Sequence, residues 1–358
     1  MKNLGIIGGG QLGRMLALAA IPLGVRCRFL VPKDDTALLD FGSRHAQSDS
    51  DDIRRFTHGL DAATTEIETI DPRIFAQVMQ HAALWPTPAA LDLKRDRRRE
   101  REHLAALGLP QPRWAQAGIH ADLPAACRQV GFPCRVKAAS GGYDGRGQWR
   151  LASAADIATI PAEAAPYTVE AEIDFRGEFS LVAVRGVSSA GDDLRFWMPS
   201  LNVHRDGILV RTEPDVAGSL PAAEVAEAER CVRELMRSLD YRGVLAVEFF
   251  RTGTGILVNE FAPRVHNSGH WTIEGAVTSQ FENHVRAVLG LPLGSTALRT
   301  PVITWNVLGH WPDRAALLAV PALHVHDYGK AERAGRKIGH VTLTGPDAAA
   351  IARVESLL

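Results

Sequence analysis

Only four cysteines, Cys27, Cys127, Cys134 and Cys231, are spread over 358 residues, and no two form a C-x-x-C pair. That spacing excludes a zinc ribbon or thioredoxin-like motif. So few cysteines in so long a chain make no disulfide scaffold, and a reducing compartment is expected. No sign of charge dominates either. The 40 basic residues nearly cancel the 41 acidic ones, and a net charge of -1 excludes an overall electrostatic footprint for nucleic acid. Long hydrophobic runs are missing as well. The uncharged apolar stretch at residues 15–25 contains Pro22 and is too short to span a bilayer. The apolar run at residues 4–7 stops at three glycines, with no signal-peptide cleavage pattern behind it. A soluble cytoplasmic protein is expected, with neither membrane nor nucleic acid as partner.

What is present suffices for several cores. Hydrophobic residues make up 46% of the chain, and at roughly 150 residues per domain the length predicts two or three domains. Residues 4–7 read as a strand, 8–13 as a glycine turn, 14–23 as a helix and 27–31 as a second strand. Residues 64–70 and 84–86 read as later strand ends. This alternation predicts a parallel sheet covered on both faces. A charged helix over 93–107 closes the region, and its interspersed acids favour a solvated face over a nucleic-acid patch. Beyond it come a strand at 134–138, a glycine-rich loop at 140–147, and strands at 167–173 and 178–185. An amphipathic helix over 221–239 carries Val225, Ala228, Val232, Leu235 and Leu239 on one stripe. A hairpin follows at 244–261, then a last small segment from about 301 with strands at 303–308, 324–328 and 340–343.

Four constellations carry chemistry. Gly8-x-Gly10-x-x-Gly13 matches a dinucleotide fingerprint, with Asp34 near the place of an acidic ribose partner. Its plain alternative is a tight strand-to-helix turn. Lys137 sits inside the strand 134–138, a few residues before Ser140-Gly141-Gly142-Tyr143-Asp144-Gly145-Arg146-Gly147-Gln148, whose glycines free backbone N–H groups to wrap an anion. In the hairpin, symmetric closure of the turn sets Glu248 opposite Val258. Glu260 is then its diagonal neighbour on the same face, roughly 7–8 Å away. Two carboxylates on an otherwise apolar hairpin repel each other, and a shared Mg2+ would relieve them; two solvent-facing glutamates are the alternative. Lys330, Arg333, Arg336 and Lys337 around Gly335 suit a phosphate monoester or make a solvated basic turn.

Together these residues resemble a known family. The runs Gly8-Gly9-Gly10-Gln11-Leu12-Gly13-Arg14-Met15, Gly141 to Gln148, Asn259-Glu260-Phe261-Ala262-Pro263-Arg264-Val265-His266-Asn267-Ser268-Gly269-His270-Trp271-Thr272 and Gly335-Arg336-Lys337-Ile338-Gly339-His340 are similar to the 5-(carboxyamino)imidazole ribonucleotide synthases. These are the ATPase subunits of the phosphoribosylaminoimidazole carboxylase system, in the ATP-grasp superfamily. The resemblance spans essentially the whole chain. It implies an α/β (α+β overall) fold: a Rossmann-like pre-ATP-grasp domain over 1–100, an ATP-grasp domain over 101–295 with a lid at about 113–180, and a small C-terminal β-rich domain over 296–358. It implies a ligase that uses ATP and bicarbonate to carboxylate 5-aminoimidazole ribonucleotide in purine biosynthesis, with Mg2+, as a homodimer.

Roles follow the motif positions. Arg97, or its neighbours Arg98 or Arg99, and Lys137 would contact ATP, and Gly142, Tyr143, Asp144, Gly145, Arg146, Gly147 and Gln148 would close over its phosphates. Glu170, Ala171, Glu172 and Ile173 would form the adenine hinge, although an apolar or small residue is expected at Glu172. Glu178 would hold the ribose and His204 would border the nucleotide. Glu248 and Glu260 would hold the metal beside Asn259. Asp144, Arg146, Arg264, His266 and Asn267 would serve catalysis. Gln11, Leu12, Tyr143, Asp144, Arg146, His266, Asn267, Lys330 and Arg336 would meet the other substrates. Three rival readings remain. A formate-dependent glycinamide ribonucleotide ligase should differ at residues 266–270. An NAD-dependent dehydrogenase leaves Lys137, the glycine loop and both glutamates unexplained. A non-catalytic nucleotide sensor has no need to retain Lys137, Glu248 and Glu260 together.

Overall fold

The opening alternation builds a parallel sheet. The computed structural model describes residues 1–32, 41–141, 147–188 and 191–358. Strands β1 (Asn3–Ile7), β2 (Arg26–Val31), β3 (Ser43–Ala46) and β4 (Ala62–Thr65) pair in the order β3-β2-β1-β4. Successive side chains of a strand point to opposite faces. Accordingly, Leu4 and Ile6 join one apolar cluster with Leu12, Met15 and Leu16 of α1 (Gln11–Ala20). Ile7 joins the other, with Ile53 and Phe56 of α2 (Ser50–Thr57) and Phe75 and Val78 of α3 (Pro72–Met79). The strand expected at 84–86 reduces to a single bridge between Leu84 and Ala63.

The single helix expected over 93–107 is two. α4 (Pro88–Arg95) ends at Asp96, whose extended backbone (φ -135°, ψ 111°) starts α5 (Arg97–Ala106). The Asp96 carboxylate accepts the Arg98 N–H at 2.9 Å, an N-cap that an unbroken helix would not need. The solvated face is only half of α5. Arg99 is exposed, but Glu100 and Arg101 are each only 2% exposed.

Two more sheets follow. The lid sheet is antiparallel, β5 (Trp114–Ala117), β6 (Cys134–Ala138), β7 (Gln148–Leu151) and β8 (Tyr167–Ala171), in the order β5-β8-β6-β7. Helix α6 (Leu123–Val130) covers it with Leu123, Ala126, Cys127 and Val130. The central sheet contains β9 (Gly177–Ser188), β10 (Gly191–Phe196), β11 (Ser200–Arg205), β12 (Ile208–Pro214), β13 (Gly243–Arg251) and β14 (Ile256–Ala262). Leu245, Val247 and Phe249 of β13 pack under α7 (Ala222–Ser238), while Val244 and Ala246 face the cluster shared with α1. That shared cluster also takes α9 (Gln280–Val288), which follows the short α8 (Thr272–Gly275).

The C-terminal strands β15 (Val302–Leu308), β16 (Leu323–Asp327) and β17 (Lys337–Thr344) do not make a sheet of their own. β15 pairs with β12, and among the described residues the sheet runs β14-β13-β9-β11-β12-β15-β17-β16, with β10 on β9. α10 (Arg314–Leu318) and α11 (Ala348–Leu357) close a separate apolar cluster against this end. Residues far apart in the chain therefore meet on one continuous sheet.

Candidate functional site

The carboxylate hairpin forms in a register different from the symmetric one. Glu248 stands directly opposite Glu260, and the pairing then shifts so that Phe249 faces Val258. Asn259 is the extra residue of a β-bulge, which corrects the expected Glu248–Val258 pair. Burial and then the charge of Glu260 push the Glu248 carboxyl up. Burial would raise Glu260 too, but Lys94, Arg97 and Lys137 outweigh it and hold Glu260 well below the usual range. Arg97 Nη1 lies 3.5 Å and Lys94 Nζ 3.7 Å from the same Glu260 oxygen. The Glu260 side chain is 37% exposed, so water screens these contacts in part. Arg98 instead pairs with Asp96 at 2.6 Å. Of the three candidate arginines, Arg97 is the one beside the carboxylates.

The pair suits a hard divalent cation. Both groups present only oxygen, they repel across the bulge, and burial and then the Glu260 charge hold Glu248 above its ordinary pKa. Among the described residues no three His, Cys, Asp or Glu side chains form a metal site by themselves. A cation here would rest on two carboxylates and on oxygens of a bound phosphate, as magnesium does in nucleotide sites.

Behind the pair lies a buried ionic chain. Lys137 is 6% exposed, and its Nζ lies 2.6 Å from Glu170 Oε2. The other Glu170 oxygen accepts Arg101 Nε at 3.0 Å. Burial would raise the Glu170 carboxyl, but Arg101 and Lys137 hold it at about 2. Burial lowers Lys137, opposed by Glu170. Glu172 also has a physical account. It contacts Arg150 at 2.8 Å and Arg135 at 3.3 Å, and those two arginines are cross-strand partners that would repel each other without it. Ala171 and Ile173 lie on the segment that leads from the lid sheet to the central one.

On the facing strands, His204 Nδ1 lies 3.2 Å from Glu178. Burial works against the His204 charge, but Glu178 and Glu248 raise its pKa above the ordinary value. His266 behaves oppositely: burial, then Arg264 and Lys337, hold it down at about 3. Its Nδ1 accepts the Ser268 N–H at 3.3 Å, which puts the ring proton on Nε2, 3.7 Å from Glu248. Arg264 pairs with Glu68 at 2.9 Å. The Asn267 amide, expected to face the substrates, is engaged in reciprocal bonds of 2.9 and 2.7 Å with Asn306 of β15. One donor proton and one lone pair remain to it. Gly142, Tyr143, Asp144, Gly145 and Arg146 lie outside the described residues. Gly147 and Gln148 lead into β7, and the Gly147 carbonyl accepts the Ala138 N–H at 2.8 Å.

The glycine fingerprint is closed. The Gly10 N–H donates to Glu66 Oε1, and the Gly13 N–H donates to Glu66 Oε2 at 2.7 Å. Glu66, only 2% exposed, fills the place expected for a phosphate. A Cβ on Gly10 would come within 2.7 Å of Glu66 Oε1, so the glycines admit a carboxylate of the chain itself. This corrects the dinucleotide reading of the turn; Asp34 lies outside the described residues. Leu12 is buried in the core. Gln11 accepts a hydrogen bond from Lys330, 319 residues away. Arg336 donates to the Ala331 carbonyl at 3.2 Å within the same basic turn.

The comparisons with known proteins match this arrangement. The ribonucleotide synthetase pre-ATP-grasp domain matches residues 1–95, the ATP-grasp domain residues 102–281, and the phosphoribosylaminoimidazole carboxylase C-terminal domain residues 303–354. The N5-carboxyaminoimidazole ribonucleotide synthase of Pseudomonas aeruginosa is 43% identical over 99% of both chains. The chain belongs to the N5-carboxyaminoimidazole ribonucleotide synthase family. That family consists of ATP-grasp ligases, and a dehydrogenase is excluded. The Escherichia coli synthase is 36% identical over 100% of this chain and 95% of its own. The solved synthetase of Thermus thermophilus superposes with a TM-score of 0.91 at 40% identity, covering 99% and 98% of the two chains. The Aspergillus clavatus synthase, in complex with ADP and 5-aminoimidazole ribonucleotide, gives 0.88 at 29% identity over 99% and 97%.

Several residues that contact the candidate site residues escaped the motifs: Glu66, Glu68, Lys94, Glu100, Arg101 and Asn306. For Arg97, Glu100, Arg101 and Leu104 a signal was present. Their spacing of three and four residues marks one face of a helix, here turned toward β14.

Proposed function

We propose that this chain joins bicarbonate to the exocyclic amine of 5-aminoimidazole ribonucleotide, converting ATP to ADP and phosphate. The observation that supports it most is the opposed Glu248–Glu260 pair, with Arg97 and Lys94 beside it and the Lys137–Glu170–Arg101 chain behind it. Lys137 and Arg97 bind the ATP phosphates, Glu178 the ribose, and residues 170–173 the adenine. Glu248 and Glu260 hold magnesium, which when bound neutralises charge on the terminal phosphates. A bicarbonate oxygen attacks the γ-phosphorus and ADP leaves. Arg264 and the Nε2–H of neutral His266 offer donors to the carboxyphosphate so formed. The amine nitrogen then attacks its carbon, phosphate leaves, and Asp144 takes the amine proton. Closure of residues 140–148 excludes water from the short-lived intermediate. Lys330 and Arg336 clamp the ribonucleotide phosphate, with Gln11 orienting Lys330.

Phosphate release with ATP and magnesium tests the reading. Release should require both bicarbonate and 5-aminoimidazole ribonucleotide. Release driven by formate and glycinamide ribonucleotide would instead establish the rival ligase. A homodimer and a cytoplasmic location belong to the same reading, and light scattering of the purified protein checks the first.

A further inference from the structure

The bulge at Asn259 breaks the ladder between β13 and β14 at the residue next to Glu260. A backbone carbonyl freed in this way needs another partner when buried. Arg101 supplies it. Its Nη2 donates to the Asn259 carbonyl at 2.7 Å and its Nη1 to the Val258 carbonyl at 3.2 Å. One turn of the same helix face supports the other side: Glu100 Oε1 accepts the Phe261 N–H at 3.2 Å. Residues 258, 259 and 261 are thus all held by α5, and Glu260 projects from the middle of that grip. Arg97 of the same helix meets the Glu260 carboxylate itself. The third nitrogen of Arg101, Nε, bonds Glu170, which in turn holds Lys137 on the lid sheet.

We propose that Arg101 is a positioning residue. It takes the place of the ladder bond lost at the bulge, fixes the direction of Glu260, and ties that direction to Lys137 through Glu170. Its planar fork reaches three acceptors on two sheets at once, which a single ammonium does not. Arg101 is 2% exposed, with its donors on Glu170 and on the Val258 and Asn259 carbonyls, so it acts through the carboxylate that holds the metal and the lysine that holds the phosphates. The inference rests on the ATP-site reading above.

The test uses Arg101→Lys, which keeps the buried charge beside Glu170 but not the three-way reach. Binding of a fluorescent ATP analogue is titrated with magnesium, without turnover. Half-saturating magnesium should rise about tenfold, the scale of losing a group that orients a metal ligand. The Michaelis constant for 5-aminoimidazole ribonucleotide should stay within about twofold. Arg101→Gln, which leaves Glu170 with Lys137 alone, should shift the magnesium titration further in the same direction. Magnesium titrations of both variants matching wild type would overturn the proposal. So would a loss shared equally by magnesium, ATP analogue and ribonucleotide, which marks a merely structural arginine. If Arg101→Lys does not fold, Arg101→Gln is read alone by the same two outcomes. A wild-type protein that binds the analogue but releases no phosphate with bicarbonate and ribonucleotide would sink the ATP-ligase reading instead.

Discussion

Replacing His284 by glutamine should weaken folding less in acid than at neutral pH. His284 is fully buried on α9, where its Nδ1 accepts the Val244 N–H at 3.0 Å and its Nε2 lies 2.7 Å from the Thr64 hydroxyl. The first bond puts the proton on Nε2, which donates to Thr64 and bolts the N-terminal sheet to the central one. Gly243 packs against the ring: a Cβ there would lie 2.9 Å from His284 Cε1. Burial pushes the imidazole down to about 3, against an ordinary value near 6.5. The folded-state pKa is depressed, so the stability contributed by the neutral ring is complete above the unfolded pKa. It is lost as pH falls toward the folded one. Between about pH 7.5 and pH 5 the unfolded chain takes up the proton and the folded chain does not, which costs about 2 kcal/mol. His270 and His340 are also held low by burial, but they titrate alike in wild type and variant and cancel. The assay is urea unfolding of both proteins at the two pH values. The His284→Gln penalty should shrink by about 2 kcal/mol at the lower pH. A penalty independent of pH would refute the assignment of His284 as a buried neutral bolt.

Three further perturbations test other parts of the molecule. Glu260→Gln removes one of the two opposed carboxylates, and phosphate release should fall by at least about 100-fold with the thermal transition unchanged; near-normal release at ordinary magnesium contradicts the metal role. Lys330→Ala should raise the Michaelis constant for the ribonucleotide about 10- to 100-fold, the range of one lost charge-assisted bond, while that for ATP barely moves; steady-state kinetics with each substrate varied decides it. Gly8→Ala should destabilise the fold by about 2–4 kcal/mol, because Gly8 adopts φ +114° and a Cβ there would lie 2.5 Å from Glu66 Cγ. A urea midpoint like that of wild type would show that the Glu66 turn has slack.

Much of this protein was legible in the amino-acid order, for local reasons. Strand and helix periods are properties of neighbouring residues, so the alternation before residue 90, the helix at 222–238 and the hairpin near 250 were readable from apolar spacing. The family resemblance carried further, because runs such as 259–272 hold several functional side chains in one stretch. Local spacing also told that Glu248 and Glu260 share a face, but a symmetric turn was the simplest closure, and only pairing across two strands shows the bulge that sets them directly opposite. The break at Asp96 was equally hidden, since it depends on a side chain capping the helix that follows it.

Tertiary structure decided the rest, wherever a residue's environment comes from a distant part of the chain. A glycine fingerprint reads the same whether a phosphate or a carboxylate fills it; that Glu66 fills it follows from β4 lying beside β1. Arg101 reads as one more cation in a charged helix until β14 packs against it and leaves it 2% exposed. Lys330 meets Gln11, and Asn267 meets Asn306, because the C-terminal strands join the central sheet instead of forming a unit apart. Sequence alone determined which elements form and which residues bear the chemistry, because both are written in short-range pattern. Packing determined partners, burial and charge state, because those energies depend on what the fold brings within a few ångströms.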